Sequence, residues 1–145
     1  MEITIELLKV FSSDITQTVN DLLTQLNSSS KVLNDENVRE IIESPSNRFF
    51  VARKSVDNKI VGMLTLVVYR IPVWKKGWIE DLVVDKNYRN KGIATKLINH
   101  AVGKAKADGV LSLNFTSRPQ REGANKLYEK LGFKRRGTNV YRIEL

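Results

Sequence analysis

The sequence predicts a mixed α/β fold of the α+β kind: one mixed, mostly antiparallel sheet of about seven strands flanked by about four helices. Three observations carry this expectation. Runs with two-residue alternation, such as residues 110–115, interleave with runs of helical period. An Asp57-Asn58 turn separates two strand-like runs and marks a hairpin. Tyr88-Arg89-Asn90-Lys91-Gly92-Ile93-Ala94-Thr95 sets Arg, Gly and Ala at the spacing R-x-x-G-x-A, where a strand ends and a helix begins.

In chain order, residues 3–10 read as a first strand. Ser12 and Ser13 can cap a helix over about 14–26, whose apolar positions are Ile15, Val19, Leu22, Leu23 and Leu26. Asn34 can cap a second, short helix over 35–44, which Pro45 stops. The hairpin strands cover 48–53 and 59–71. A reversal over 72–77 leads into an acidic strand, Trp78-Ile79-Glu80-Asp81-Leu82-Val83-Val84. From Gly92 to Ala107, apolar residues at 93, 94, 97, 98, 101, 102 and 105 form one helical stripe, which Asp108-Gly109 ends. After the alternating run at 110–115, Pro119 can open a helix reaching Leu131, with Gly132 as its cap. Two last strands, about 133–136 and 139–143, complete the expected seven. No linker or repeat interrupts the chain, so residues 1–145 are expected to form a single domain.

Composition narrows the chemistry. The chain has no cysteine and one histidine, which excludes a cysteine nucleophile, a disulfide framework and a Cys/His zinc site. No metal is expected. No apolar run approaches the roughly 18 residues of a membrane span, and no signal-peptide pattern opens the chain, so a cytoplasmic protein without membrane contact is expected. The net charge of +8 is unevenly spread: residues 1–88 sum to −1 and residues 89–145 to +9. Positive charge that begins at the 89–95 turn suits a phosphorylated cofactor or a nucleic acid equally.

The turn itself suits an anion. The first N–H groups of a helix lack intrahelical partners and lie at the positive end of its dipole, and Gly92 has no Cβ to keep a phosphate away. The spacing matches neither a Walker loop nor a dinucleotide fingerprint. It resembles the acetyl-CoA pyrophosphate loop of the GNAT superfamily of N-acetyltransferases, [Q/R]-x-x-G-x-[G/A]. The acidic strand before it and the Ala124-to-Phe133 run A-x-x-L-Y-x-K-L-G-F after it strengthen the likeness, which covers residues 48–145 well and the first 45 in outline. Thr116-Ser117-Arg118-Pro119 and Arg135-Arg136-Gly137-Thr138-Asn139-Val140-Tyr141 resemble small bacterial acetyltransferases of unassigned acceptor.

The resemblance implies direct transfer of an acetyl group from acetyl-CoA to a primary amine of a small molecule, peptide or protein. It implies that backbone groups of Leu82, Val83 and Val84 hold the pantetheine arm and the thioester carbonyl, with a splay or bulge exposing unpaired N–H groups. Arg89, Asn90, Lys91, Gly92, Ile93, Ala94 and Thr95 would wrap the pyrophosphate. Glu80 is the preferred general base, directly or through water, because partial burial would raise its pKa toward the working range. Its other reading is an ion pair at a strand edge. Strand alternation puts Glu80 on one face with Trp78, Leu82 and Val84 and turns Asp81 away, although a bulge would exchange the two carboxylates' roles. Tyr128 matches the family's acid for the leaving thiolate, and also reads as a core aromatic.

Arg121 stands where many relatives have an Asn that touches pantetheine. Arg118 and Arg121 are candidates for CoA phosphates or an acidic acceptor. His100 falls off its helix's apolar stripe and reads as surface. Trp74 and Trp78 bracket a turn, and Lys134-Arg135-Arg136 reads as an exposed face. A non-catalytic acyl-CoA-binding module would keep Gly92 and Ala94 without needing Glu80 or Tyr128. A basic nucleic-acid-binding domain lacks support from any helix-turn-helix, RNA-binding or finger motif. Terminal strands of such folds often pair, which makes a homodimer the expected oligomer.

Overall fold

Five strands, not seven, build the sheet of this protein, whose computed structural model describes residues Met1–Leu145. The chain falls into two compact units, Met1–Phe115 and Thr116–Leu145. The first unit holds β1 (Ile3–Leu8), α1 (Ile15–Leu26), α2 (Asp35–Glu43), β2 (Asn47–Lys54), β3 (Ile60–Arg70), β4 (Lys75–Val84), a 3-10 turn (Lys86–Tyr88), α3 (Ile93–Ala107) and β5 (Ser112–Asn114). The sheet runs in the order β1-β2-β3-β4-β5, antiparallel in its first three pairs and parallel between β4 and β5. The predicted mixed, mostly antiparallel sheet is therefore present, and the four helices counting α4 (Glu122–Lys130) match the expected number.

The two faces of the sheet carry different helices. On one, Ile15, Val19 and Leu22 of α1 and Val38 and Ile42 of α2 pack with Phe49, Val51, Met63 and Val83. On the other lies α3: a Cβ at Gly62, the neighbour of Met63, would stand 3.2 Å from the Leu97 methyl. Asn34 and Asn37 cap the start of α2 reciprocally, each side-chain oxygen accepting from the other's backbone N–H. The loop before α2 is pinned as well, since Asn20 accepts from the Leu33 N–H at 2.8 Å and donates to the Leu33 carbonyl at 2.9 Å. At the far end of α3, Asp108 receives Arg48 at 3.0 Å and Lys104 at 3.2 Å, while Lys75 donates to its carbonyl at 3.0 Å.

The second unit contains α4 and the segment after it. Gly132, at φ 97°, follows the helix end as its Gly cap was expected to. The two strands expected at 133–136 and 139–143 do not form. A strand exists only where another supplies its ladder bonds, and alternation alone cannot provide that partner. Val140, Tyr141 and Ile143 accordingly stand exposed. The N-cap of α1 is Asp14 rather than Ser12 or Ser13, and its side chain makes no capping bond.

Candidate active site

The acidic strand is irregular at the position where its carboxylates lie. Thr65 pairs with Glu80 and Met63 pairs with Val83, so Asp81 and Leu82 together face the single residue Leu64. This is a β-bulge, and Asp81 takes a left-handed φ of 51° within it. Acidic and amide side chains tolerate that conformation better than most. The parallel ladder between β4 and β5 ends at Trp78–Asn114, so residues 79–84 have no strand partner on that edge. Both a bulge and a splay thus interrupt the hydrogen bonding of this strand.

The bulge corrects the expected facing of the two carboxylates. Cross-strand partners share a face, so Glu80 rises with Thr65. Thr65 and Asp81 line one cavity on the α1/α2 side, which puts both acids on that side rather than on opposite ones. Val84 pairs with Gly62, which faces α3, so Glu80 and Val84 do not share a face. Both carboxylates reach solvent, yet the surrounding protein raises both pKa values. Burial is the main cause for Glu80, followed by the charge of Asp81; for Asp81 burial is the cause.

The cavity has a volume of about 400 Å³. Its walls are Val19, Leu23 and Leu26 of α1, Leu33, Ile41 of α2, Phe49 of β2 and Met63 of β3. Asn27, Ser30, Lys31, Thr65 and Asp81 supply its polar groups. Sequence reading singled out only Asp81 among these as functional. The rest become neighbours through strand register and the loop before α2, for which no motif exists.

Beyond β4 the chain makes the turn that the R-x-x-G-x-A spacing anticipates. Asn90 has φ 61° and Gly92 φ 77°, two left-handed residues within three positions, and such alternation turns successive backbone N–H groups to one side. Gly92 is the N-cap of α3, and no side chain caps that helix. A Cβ at Gly92 would meet nothing within 4 Å, so space lies open beside the bare helix end. This geometry fits a phosphate. Arg89 also braces this turn: its Nε donates to the Val84 carbonyl at 3.0 Å. Ile93, Leu97 and Ile98 are buried and hold the start of α3 on the sheet, while Ala94 and Thr95 are half-buried.

Tyr128, Arg118 and Arg121 belong to the second unit. Tyr128 is buried, and burial raises its pKa against the opposing charge of Arg121. Asn125 donates to the Arg118 carbonyl at 3.0 Å and so ties the loop before α4 to that helix. His100 is exposed, with Nδ1 2.9 Å from the Lys96 carbonyl, as its place off the apolar stripe implied. Trp78 is half-buried and donates to the Tyr69 hydroxyl at 2.9 Å, whereas Trp74 is exposed. No group of three or more His, Cys, Asp or Glu residues is arranged to hold a metal, and no helix is long and apolar enough to cross a membrane.

The chain thus combines a five-stranded mixed sheet, a bulged acidic strand and an uncapped, glycine-led helix. Residues 16–133 match the family described as Acetyltransferase (GNAT) family, and the chain belongs to it. Members of that family transfer an acetyl group from acetyl-CoA to an amine. Among curated proteins it is 32% identical to the N-alpha-acetyltransferase MAK3 of Arabidopsis thaliana, across 48% of this chain and 42% of that one. It is 37% identical to N-alpha-acetyltransferase 30 of Schizosaccharomyces pombe, across 40% and 39% respectively. The chain thus spans less than half the length of these curated relatives. An acetyltransferase from Trypanosoma brucei shares its fold at a TM-score of 0.81 and 23% identity, covering 99% of this chain and 100% of that one.

Proposed function

We propose that this chain is an N-acetyltransferase that uses acetyl-CoA and acetylates a primary amine by direct attack. The observation that carries the reading is the open, uncapped N-terminus of α3, one turn beyond a β4 strand whose bulge presents two carboxylates. The backbone at residues 89–95 would hold the pyrophosphate, and the interrupted backbone of Leu82, Val83 and Val84 would hold the pantetheine arm and the thioester carbonyl. Acetyl-CoA supplies the acetyl group and departs as the thiol. Glu80, with Asp81 as the alternative, would take the ammonium proton, directly or through water, so that the amine nitrogen can bond to the carbonyl carbon while the carbon–sulfur bond breaks. Tyr128 is carried over from the family motif as proton donor to sulfur. Its raised pKa keeps the phenol protonated at neutral pH.

The amine class remains broad in this reading: a small molecule, a peptide or a protein amino terminus, the last suggested by the names of the curated relatives. The family match runs across both units, which supports one acetyltransferase domain over residues 1–145. A cytoplasmic location accords with the composition. Exposed Val140, Tyr141 and Ile143 in an alternating segment support a homodimer, to be checked by light scattering. The carboxylates favour catalysis over an acyl-CoA-binding module without activity. Family membership favours it over a nucleic-acid-binding domain.

Two measurements together test the proposal. Calorimetry should detect acetyl-CoA binding, and a thiol-release assay over a panel of amines should show turnover. No heat of binding at millimolar acetyl-CoA would remove the reading altogether, whereas binding without thiol release for any amine would leave a binding module.

A further inference from the structure

The cavity over β4 has the chemistry of a particular kind of amine. Seven of its walls are apolar: Val19, Leu23, Leu26, Leu33, Ile41, Phe49 and Met63. Asp81 is its one carboxylate, and Lys31 adds a positive charge with no ion-pair partner. We infer that the acceptor is a monoamine carrying an aliphatic or aromatic group of about leucine to phenylalanine size, with its nitrogen toward Asp81 and its apolar body among the leucines. The inference rests on the acetyltransferase reading and narrows its substrate.

Three physical points lead there. A polyamine or an aminosugar antibiotic presents three or more ammonium groups, more than Asp81 and its neighbour Glu80 can pair, and Lys31 opposes them. Its polar surface would lose water against Leu23, Leu26 and Leu33 without gaining hydrogen bonds, which is costly. An apolar group gains by the same exchange, roughly 0.8 kcal/mol or close to fourfold per buried methylene. The walls are also held in place before any ligand arrives, because both backbone groups of Leu33 are bonded to the Asn20 side chain. A preformed apolar wall spares the ordering cost that a mobile loop would impose on binding. The volume of about 400 Å³ lies at the small end of ligand cavities, which span about 300–1,000 Å³.

Linear alkylamines from ethyl to hexyl give a direct test, because their basicity hardly changes with length while their apolar area grows. With full-length wild-type protein and saturating acetyl-CoA, kcat/KM by thiol release should rise about threefold to fourfold per methylene until the cavity fills. Spermidine and kanamycin should fall at least tenfold below hexylamine. The exposed Lys31→Glu variant should raise the spermidine value at least threefold relative to hexylamine. A flat alkylamine series, or preference for spermidine or kanamycin, would overturn the inference while turnover itself preserved the acetyltransferase reading. Acetyl-CoA binding, measured alongside by calorimetry, separates the two failures: without it the activity falls first and the acceptor inference with it.

Discussion

Arg89 donates from Nε to the Val84 carbonyl oxygen across 3.0 Å, which ties the residue opening the turn before α3 to the residue closing β4. A cationic side chain is thus committed to bracing backbone. A hydrogen bond from a charged donor contributes about 1.5–3 kcal/mol when sheltered and less when solvent reaches it. Arg89→Ala is therefore expected to weaken acetyl-CoA binding about fivefold to tenfold through a looser loop. Arg89→Lys, which cannot reproduce the directed Nε contact, should recover only part of that loss. Equal affinity for wild type and Arg89→Ala in calorimetry would show that the brace is idle.

Gly92 offers a separation between stability and binding. Its φ of 77° strains any residue with a Cβ by roughly 1–2 kcal/mol, but the space around it is empty. Gly92→Ala should fold, with a melting temperature a few degrees lower. A methyl group at the helix entrance would then stand where an anion must approach, and the acetyl-CoA dissociation constant should rise about tenfold or more. If both quantities changed only by what strain explains, the helix end would not be the phosphate site.

The two carboxylates are distinguishable by pH. Glu80 titrates above the usual value of about 4.3 because of burial and the Asp81 charge, so the acid limb of kcat/KM should lie above that pH. Asp81→Asn removes the repulsion and should move the limb to lower pH. Glu80→Gln should abolish the limb and cost about 10²–10⁴ in kcat. The reverse pattern would assign the base to Asp81.

Asp81 also links stability to pH. Its pKa is raised by burial in the folded protein, so the native state holds the proton more tightly than the unfolded chain. The stability this provides is full below the unfolded value of about 3.9 and is lost as pH rises through the folded value. At pH 7 the partly desolvated charge is a burden, and Asp81→Asn should raise the melting temperature by about 1–2 °C, a small effect because solvent reaches the side chain. The gap should close near pH 3. Asparagine tolerates the left-handed φ, so the bulge itself should survive.

Much of this fold can be read from residue order. The hairpin at Asp57-Asn58, the acidic strand, the helix from Ile93 and the turn before it all stand close to where alternation, helical period and glycine placed them. Reading failed where a second segment decides the outcome. Glu80 and Asp81 obey strict alternation only until a bulge opposite Leu64 adds one residue to β4, and nothing local to their sequence announces it. Residues 139–143 alternate like a strand but find no ladder. The lining of the cavity is not legible in residue order, because Phe49, Met63 and Thr65 join α1 and Asp81 only once strand register is known.

The ends of α3 are unlike. Arg48, Lys104 and Lys75 converge on Asp108 at its C-terminal end, while its first turn has no side-chain cap. Deuterium should therefore enter the amides of residues 93–95 quickly in the free protein, while those of the last turn exchange slowly. Acetyl-CoA would close that asymmetry by serving as the missing cap, so the arrival of one reactant would itself finish a secondary-structure element and could be timed by mass spectrometry.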